Sequence, residues 1–135
     1  MHKDEAMDIA HNAASMSLEE LLEAYGKFNK IVTNTPITIF SDQPPKDCRY
    51  TDNFTEGLHG AIGLVTEATE ILDAYKKDMF GKRRPLRPEN IKEECGDILF
   101  YLTVVMRAYD ISLKDIIKDN VVKLANRYIE KFEVS

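Results

Sequence analysis

Histidine and cysteine are scarce in this chain of 135 residues, which holds three of the first and two of the second. Two cysteines, Cys48 and Cys95, cannot build the disulfide framework of a small exported domain, and they fit a reducing compartment. Cys95 stands in a helical, carboxylate-rich stretch, where a buried thiol is the ordinary expectation. His2, His11 and His59 form no ligand set. Long apolar runs are missing too: residues 98 to 106 are the most apolar, are interrupted by Thr103, and fall short of the roughly 18 residues of a membrane span. The opening Met1-His2-Lys3-Asp4-Glu5 is charged where a signal peptide needs an apolar run. Nor is there an excess of positive charge, since 18 Lys and Arg face 23 Asp and Glu for a net −5. That balance argues against a binder of nucleic-acid backbones. The expectation is a cytoplasmic protein, with no membrane span and no nucleic acid among its partners.

What is present is a chain able to bury a core, 44% hydrophobic and 30% charged, of a length for one domain. Its longest segments free of glycine and proline show helical spacing, and the one short alternating stretch is Ile37-Thr38-Ile39-Phe40. Ser17-x-x-Glu20 is a capping box ahead of Leu21, Leu22, Tyr25 and Phe28, so a helix starts near Ser17, and residues 1 to 16 add a turn or helix before it. Residues 33 to 54, with Pro36, Pro44 and Pro45, make a connection long enough to suggest a function. A second helix is predicted over about 55 to 79, with Leu58, Ala61, Leu64, Val65, Ala68, Ile71, Leu72 and Tyr75 on one broad apolar arc. The third, about 89 to 109, is apolar nearly all round after Asp97 and reads as the bundle centre. The fourth begins at the similar box Ser112-x-x-Asp115 and runs through Ile116, Ile117, Val121, Leu124 and Tyr128 to about 132. The reading is one all-α, four-helix-bundle-like domain over 1–135, with 1–57 an N-terminal helix and long loop and 58–132 the region that carries the chemistry.

That region places Glu67 and Glu70 on the second helix and Glu94 and Asp97 on the third, each pair three residues apart and so on one face. Acidic pairs at this spacing are common in so acidic a chain, and spacing alone decides nothing. Their setting is less ordinary: at about 100° per residue, Glu67 lies beside Leu64, Ile71 and Ala74, and Asp97 between Tyr101 and Val104. Carboxylates against apolar surface are costly unless paired or bound to a metal. The competing reading is a set of solvated or salt-bridged helix acids. If the two helices pack antiparallel, the four side chains converge, and donors that are all oxygen suit Mg²⁺ or Mn²⁺ rather than zinc. Two divalent ions would cancel their charge and could clamp a polyphosphate and activate water. A di-iron site needs Glu-x-x-His on two helices, and Glu56-x-x-His59 is a single copy.

Two cationic features accompany the acids. On the fourth helix Asn120, Lys123 and Arg127 lie within roughly 60° of one another; lysine and arginine can take phosphate oxygens, and asparagine a water or sugar hydroxyl. Residues 76 to 92 hold Lys76, Lys77, Lys82, Arg83, Arg84, Arg87 and Lys92 against Asp78 and Glu89, a local +5 within the net −5, which could steer an anion.

The strings Gly63-Leu64-Val65-Thr66-Glu67-Ala68-Thr69-Glu70 and Glu93-Glu94-Cys95-Gly96-Asp97-Ile98-Leu99, followed by Asn120-x-x-Lys123-Leu124-x-x-Arg127-Tyr128, resemble the MazG-like all-α nucleoside triphosphate pyrophosphohydrolases over about residues 58 to 132. The resemblance implies an enzyme that cuts a nucleoside triphosphate to the monophosphate and pyrophosphate. It implies Glu67, Glu70, Glu94 and Asp97 as catalytic Mg²⁺ ligands, Lys123 and Arg127 as phosphate contacts, and Asn120 near the metals or sugar. Thr66 stands where many members carry a further glutamate. The resemblance and the large apolar helix faces both imply a homodimer or homotetramer. An alternative is a non-catalytic helical protein that binds a nucleotide or partner in the acidic groove. The base of the nucleotide is not specified by any residue of the motifs, and residues 33 to 54 are expected to cap it, with Phe40, Tyr50 and Phe54 stacking and Asp42, Gln43 and Asp47 reading its edge.

Overall fold

A computed structural model describes residues 1–33, 52–81 and 84–133, and among these every regular element is a helix. The capping box at Ser17 forms as expected: the Ser17 N–H donates to Glu20 Oε2 at 3.0 Å and the Glu20 N–H to Ser17 Oγ at 3.2 Å. Such a cap contributes about 1 kcal/mol. It opens α2 (Leu18–Thr33), which follows α1 (Lys3–Asn12) and a single 3₁₀ turn. Three longer helices complete the chain: α3 (Asp52–Phe80), α4 (Pro88–Ala108) and α5 (Leu113–Glu133). Pro88 supplies a preset φ in the first turn of α4. At the far end Asp110 takes the left-handed conformation at φ 52° and the Ile111 N–H reaches back to the Met106 carbonyl at 2.9 Å. This is the helix stop that glycine usually provides, and it turns the chain into α5, where Ser112 Oγ caps the Asp115 N–H at 3.1 Å.

Helices α3 and α4 pack along each other as an antiparallel hairpin, and α2 lies against the second face of α4. The hairpin is close because three of the chain's six glycines line its seam. Gly57 faces Tyr109, Gly60 faces Val105 and the Tyr101 backbone, and Gly63 faces the Tyr101 ring. A Cβ on Gly60 would sit 2.9 Å from the Tyr101 carbonyl oxygen, and one on Gly63 would fall inside the ring. Glycine here permits backbone approach rather than a special turn. On the other side, Asn29 of α2 is fully buried and its Nδ2 donates to Thr103 Oγ1 at 3.0 Å, while Thr103 donates in turn to the Phe100 carbonyl at 2.6 Å. The Tyr25 ring meets Phe100 edge-on, and its hydroxyl donates to the Gly96 carbonyl at 3.5 Å.

Several expectations are corrected by this packing. Of the broad arc expected to be the core face of α3, only Leu64 and Ile71 turn partly inward; Leu58, Ala61, Val65, Ala68, Leu72 and Tyr75 are exposed. The glycine edge made the close contact instead, leaving the larger side chains outside. Cys95 is exposed and free, not buried, because it points away from the seam that Glu94 borders. Along α5, Ile116 is half-buried, but Ile117, Val121, Leu124 and Tyr128 are exposed. That helix packs along no other among the described residues. No helix among those residues is long and apolar enough to cross a membrane. The stretch Ile37-Thr38-Ile39-Phe40, Cys48, Lys82, Arg83 and most of the expected cap lie outside the described residues; Phe54 falls within α3.

Candidate active site

The glycine seam also sets where the carboxylates meet. Its pairings, Gly57 with Tyr109, Gly60 with Val105 and Gly63 with Tyr101, step along α3 as they step back along α4. Continuing the same antiparallel register brings Glu67 opposite Asp97 and Glu70 opposite Glu94. In the structure Glu67, Glu94 and Asp97 each offer an oxygen, and these atoms lie within 4.8 Å of one another. Glu67 and Glu94 are half-buried and Asp97 is exposed. Among the described residues none of the three makes a salt bridge.

Burial is the largest influence on Glu94 and raises its pKa above the ordinary carboxylate value; the charges of Glu67, Asp97, Glu70 and Glu93 raise it further. Like charges close together, with no cation between them, favour either protonation or a bound cation. Glu70 stands just outside the trio and shares with Glu94 the wall of a cleft of about 290 Å³. This cleft lies between the end of α3, the connection at 84–87 and the first turns of α4.

The donor set is oxygen alone, with no imidazole or thiolate among the clustered residues, and this fits a hard divalent cation such as Mg²⁺ or Mn²⁺ better than zinc. His59 lies instead beside the Tyr101 ring, centroids 6.4 Å apart. Thr66 donates its hydroxyl to the Gly63 carbonyl at 2.7 Å and so turns onto its own helix. Asn120, Lys123 and Arg127 are exposed on α5, and a single chain does not bring them into the cleft that holds Glu70 and Glu94.

Residues 60–132, more than half of the chain, match the MazG nucleotide pyrophosphohydrolase domain. The chain belongs to that family. The matched span takes in the hairpin from Gly60 onward, all four acids and all of α5 but its last residue, whereas α1 and α2 lie outside it. No curated protein and no solved structure matches the chain. The all-α expectation holds, and membership of a family of nucleotide pyrophosphohydrolases suggests hydrolysis of a nucleotide.

The glycine row of α3 is what sequence reading missed. Gly57, Gly60 and Gly63 repeat every three residues, a spacing that keeps them on one helix face. That signal was open to inspection, and it marks the seam on which the acids are mounted.

Proposed function

We propose that this protein hydrolyses a nucleoside triphosphate to the nucleoside monophosphate and pyrophosphate, with Mg²⁺ held by Glu67, Glu70, Glu94 and Asp97. The observation that carries the reading is the trio of carboxylates at the hairpin seam, without a salt bridge among the described residues, in a chain of this family. A divalent cation bound there supplies charge neutralisation for the phosphates and lowers the pKa of water. The chain's own part begins with rigidity: the seam holds two helices in one register, so the carboxylates do not have to be gathered when substrate arrives. Glu67 or Glu70 takes the proton from the attacking water. Lys123 and Arg127 bind phosphate oxygens, the first as a point charge and the second as a fork, and Asn120 holds a water or sugar hydroxyl.

Those last three residues require a second copy of the chain. Helix α5 shows Ile117, Val121, Val122, Tyr128 and Ile129 each more than half exposed. Outward-facing Ile62, Val65, Leu72 and Met79 form a further apolar stripe on α3. A groove of about 190 Å³, bordered by Leu21, Leu22, Leu102 and Met106, lies open between α2 and α4. Apolar faces of this extent mark association surfaces. A homodimer or homotetramer would cover them and carry the cations of one α5 toward the acids of another chain.

The test is pyrophosphate release from a panel of nucleoside triphosphates with and without Mg²⁺. Release of pyrophosphate and monophosphate in equal amounts, dependent on the metal, supports the reading. Binding of a nucleotide with no turnover would favour the non-catalytic alternative, in which the acidic groove serves binding alone.

A further inference from the structure

The cleft beside the acid cluster holds a cation that the proposed mechanism has not used. Its outer wall is the connection at 84–87, and this connection is pinned: the Leu86 N–H donates to Asp78 Oδ2 at 2.8 Å. Arg84 sits on that pinned segment and lines the cleft. The other cation in the lining, Lys77, is engaged by Asp73 at 2.6 Å. Arg84 has no ion pair among the described residues. On the inner side the cleft is closed by Glu70 and Glu94, two of the four proposed metal ligands.

We infer that Arg84 is a substrate-binding residue that holds the terminal, γ phosphate of the nucleoside triphosphate, the outer half of the pyrophosphate that leaves, and that Asp78 is the positioning residue behind it. The inference rests on the function proposed above. A polyphosphate is a row of adjacent anions, so a phosphate engaged at the acid cluster has its neighbours one bridging oxygen away, in the space this cleft provides. Glu70 and Glu94 would hold the metal, while Asp73 is engaged by Lys77 and Asp78 by the backbone. This leaves Arg84 as a forked donor whose counter-ion is to be supplied by a ligand. Glu93, exposed on the same wall, is the one acid in the lining without such an engagement, and it favours a metal-complexed phosphate over a bare one.

The experiment measures turnover of a nucleoside triphosphate and its inhibition by the matching diphosphate and by inorganic pyrophosphate, all with Mg²⁺. Arg84→Ala should raise KM for the triphosphate and the inhibition constant of pyrophosphate by about tenfold, and leave the inhibition constant of the diphosphate within about twofold. Arg84→Lys should recover part of the loss. Asp78→Ala should show a smaller version of the same pattern, and Asp78→Asn, which keeps an oxygen for the Leu86 N–H, should restore it. Unchanged constants in a folded Arg84→Ala protein would overturn the inference, as would a changed ranking of bases with no change between tri- and diphosphate. Calorimetric titration with pyrophosphate and Mg²⁺ reads the same interaction without turnover. If the wild type cleaves no nucleotide yet binds pyrophosphate through Arg84, the functional reading fails and the binding site stands; if Arg84→Ala binds as tightly, the site fails.

Discussion

The α3–α4 hairpin and α5 are made from similar material, long amphipathic helices studded with charge, yet among the described residues the hairpin is packed along its length while α5 touches the rest only near its start. In the hairpin, glycines on one helix receive Tyr101, Val105 and Tyr109 of the other. Each step fixes the next, so the register reaching Glu67, Glu70, Glu94 and Asp97 is settled within one chain. Helix α5 has apolar residues at helical spacing, but among the described residues no other helix packs along it. The proposed site is thus half preformed: three of the acids are gathered within one chain, while the cations of α5 would have to come from a second copy.

The largest effects should come from the acids themselves. Glu67→Gln and Asp97→Asn are each expected to lower turnover at least about 100-fold, equivalent to roughly 2.7 kcal/mol of transition-state stabilisation. Steady-state pyrophosphate release measures this, and near-normal turnover in either variant would remove that residue from the ligand set.

The seam is tested next. Gly63→Ala places a methyl group against the Tyr101 ring and should destabilise the fold by about 1 to 3 kcal/mol, the usual cost of overpacking, with weaker Mg²⁺ binding. Gly96→Ala is the control, since nothing lies within 4 Å of its added carbon; it should be neutral or stabilising by up to about 1 kcal/mol. Equal denaturation midpoints for the two variants would show that the glycine row does not hold the register.

Helix α5 can be separated from the hairpin by charge. Val121→Asp should shift the protein toward monomer in sedimentation at micromolar concentration and lower turnover, while helical content and Mg²⁺ binding persist. A wild type already monomeric near 15.5 kDa would end the proposal that a second copy completes the site.

The smallest effect concerns pH. Because the folded-state pKa of Glu94 is raised, its ionised form destabilises the fold at neutral pH. That penalty fades as pH falls through the raised value and is gone below the ordinary carboxylate range. In chelator, the wild type should therefore gain melting temperature on mild acidification relative to Glu94→Gln. Mg²⁺ should raise the wild-type melting temperature at neutral pH, because it binds the folded state, and Glu94→Gln should lose most of that gain. Parallel pH curves for the two proteins would show that Glu94 is not under strain from its neighbours.

How much was legible in advance follows the range of the interactions. The capping boxes at Ser17 and Ser112 were readable because their bonds span three residues. The third helix, expected over about 89 to 109 and found over Pro88–Ala108, was readable from its apolar period, and the acids from their i, i+3 spacing beside apolar positions. By themselves, residue order and period determined an all-α chain of this family and named the carboxylates that share a face. They did not determine which face of α3 would be inside. Apolar area favoured the arc through Leu58, Val65 and Leu72, but the shape of a glycine edge against Tyr101 and Val105 decided it, since close backbone approach depends on both helices at once. Only tertiary structure could place three of the acids within 4.8 Å, set Arg84 beside Glu70 and Glu94, or leave Cys95 and the stripe of α5 facing outward. These are contacts between segments distant in the chain, and a local period carries no information about what lies across from it.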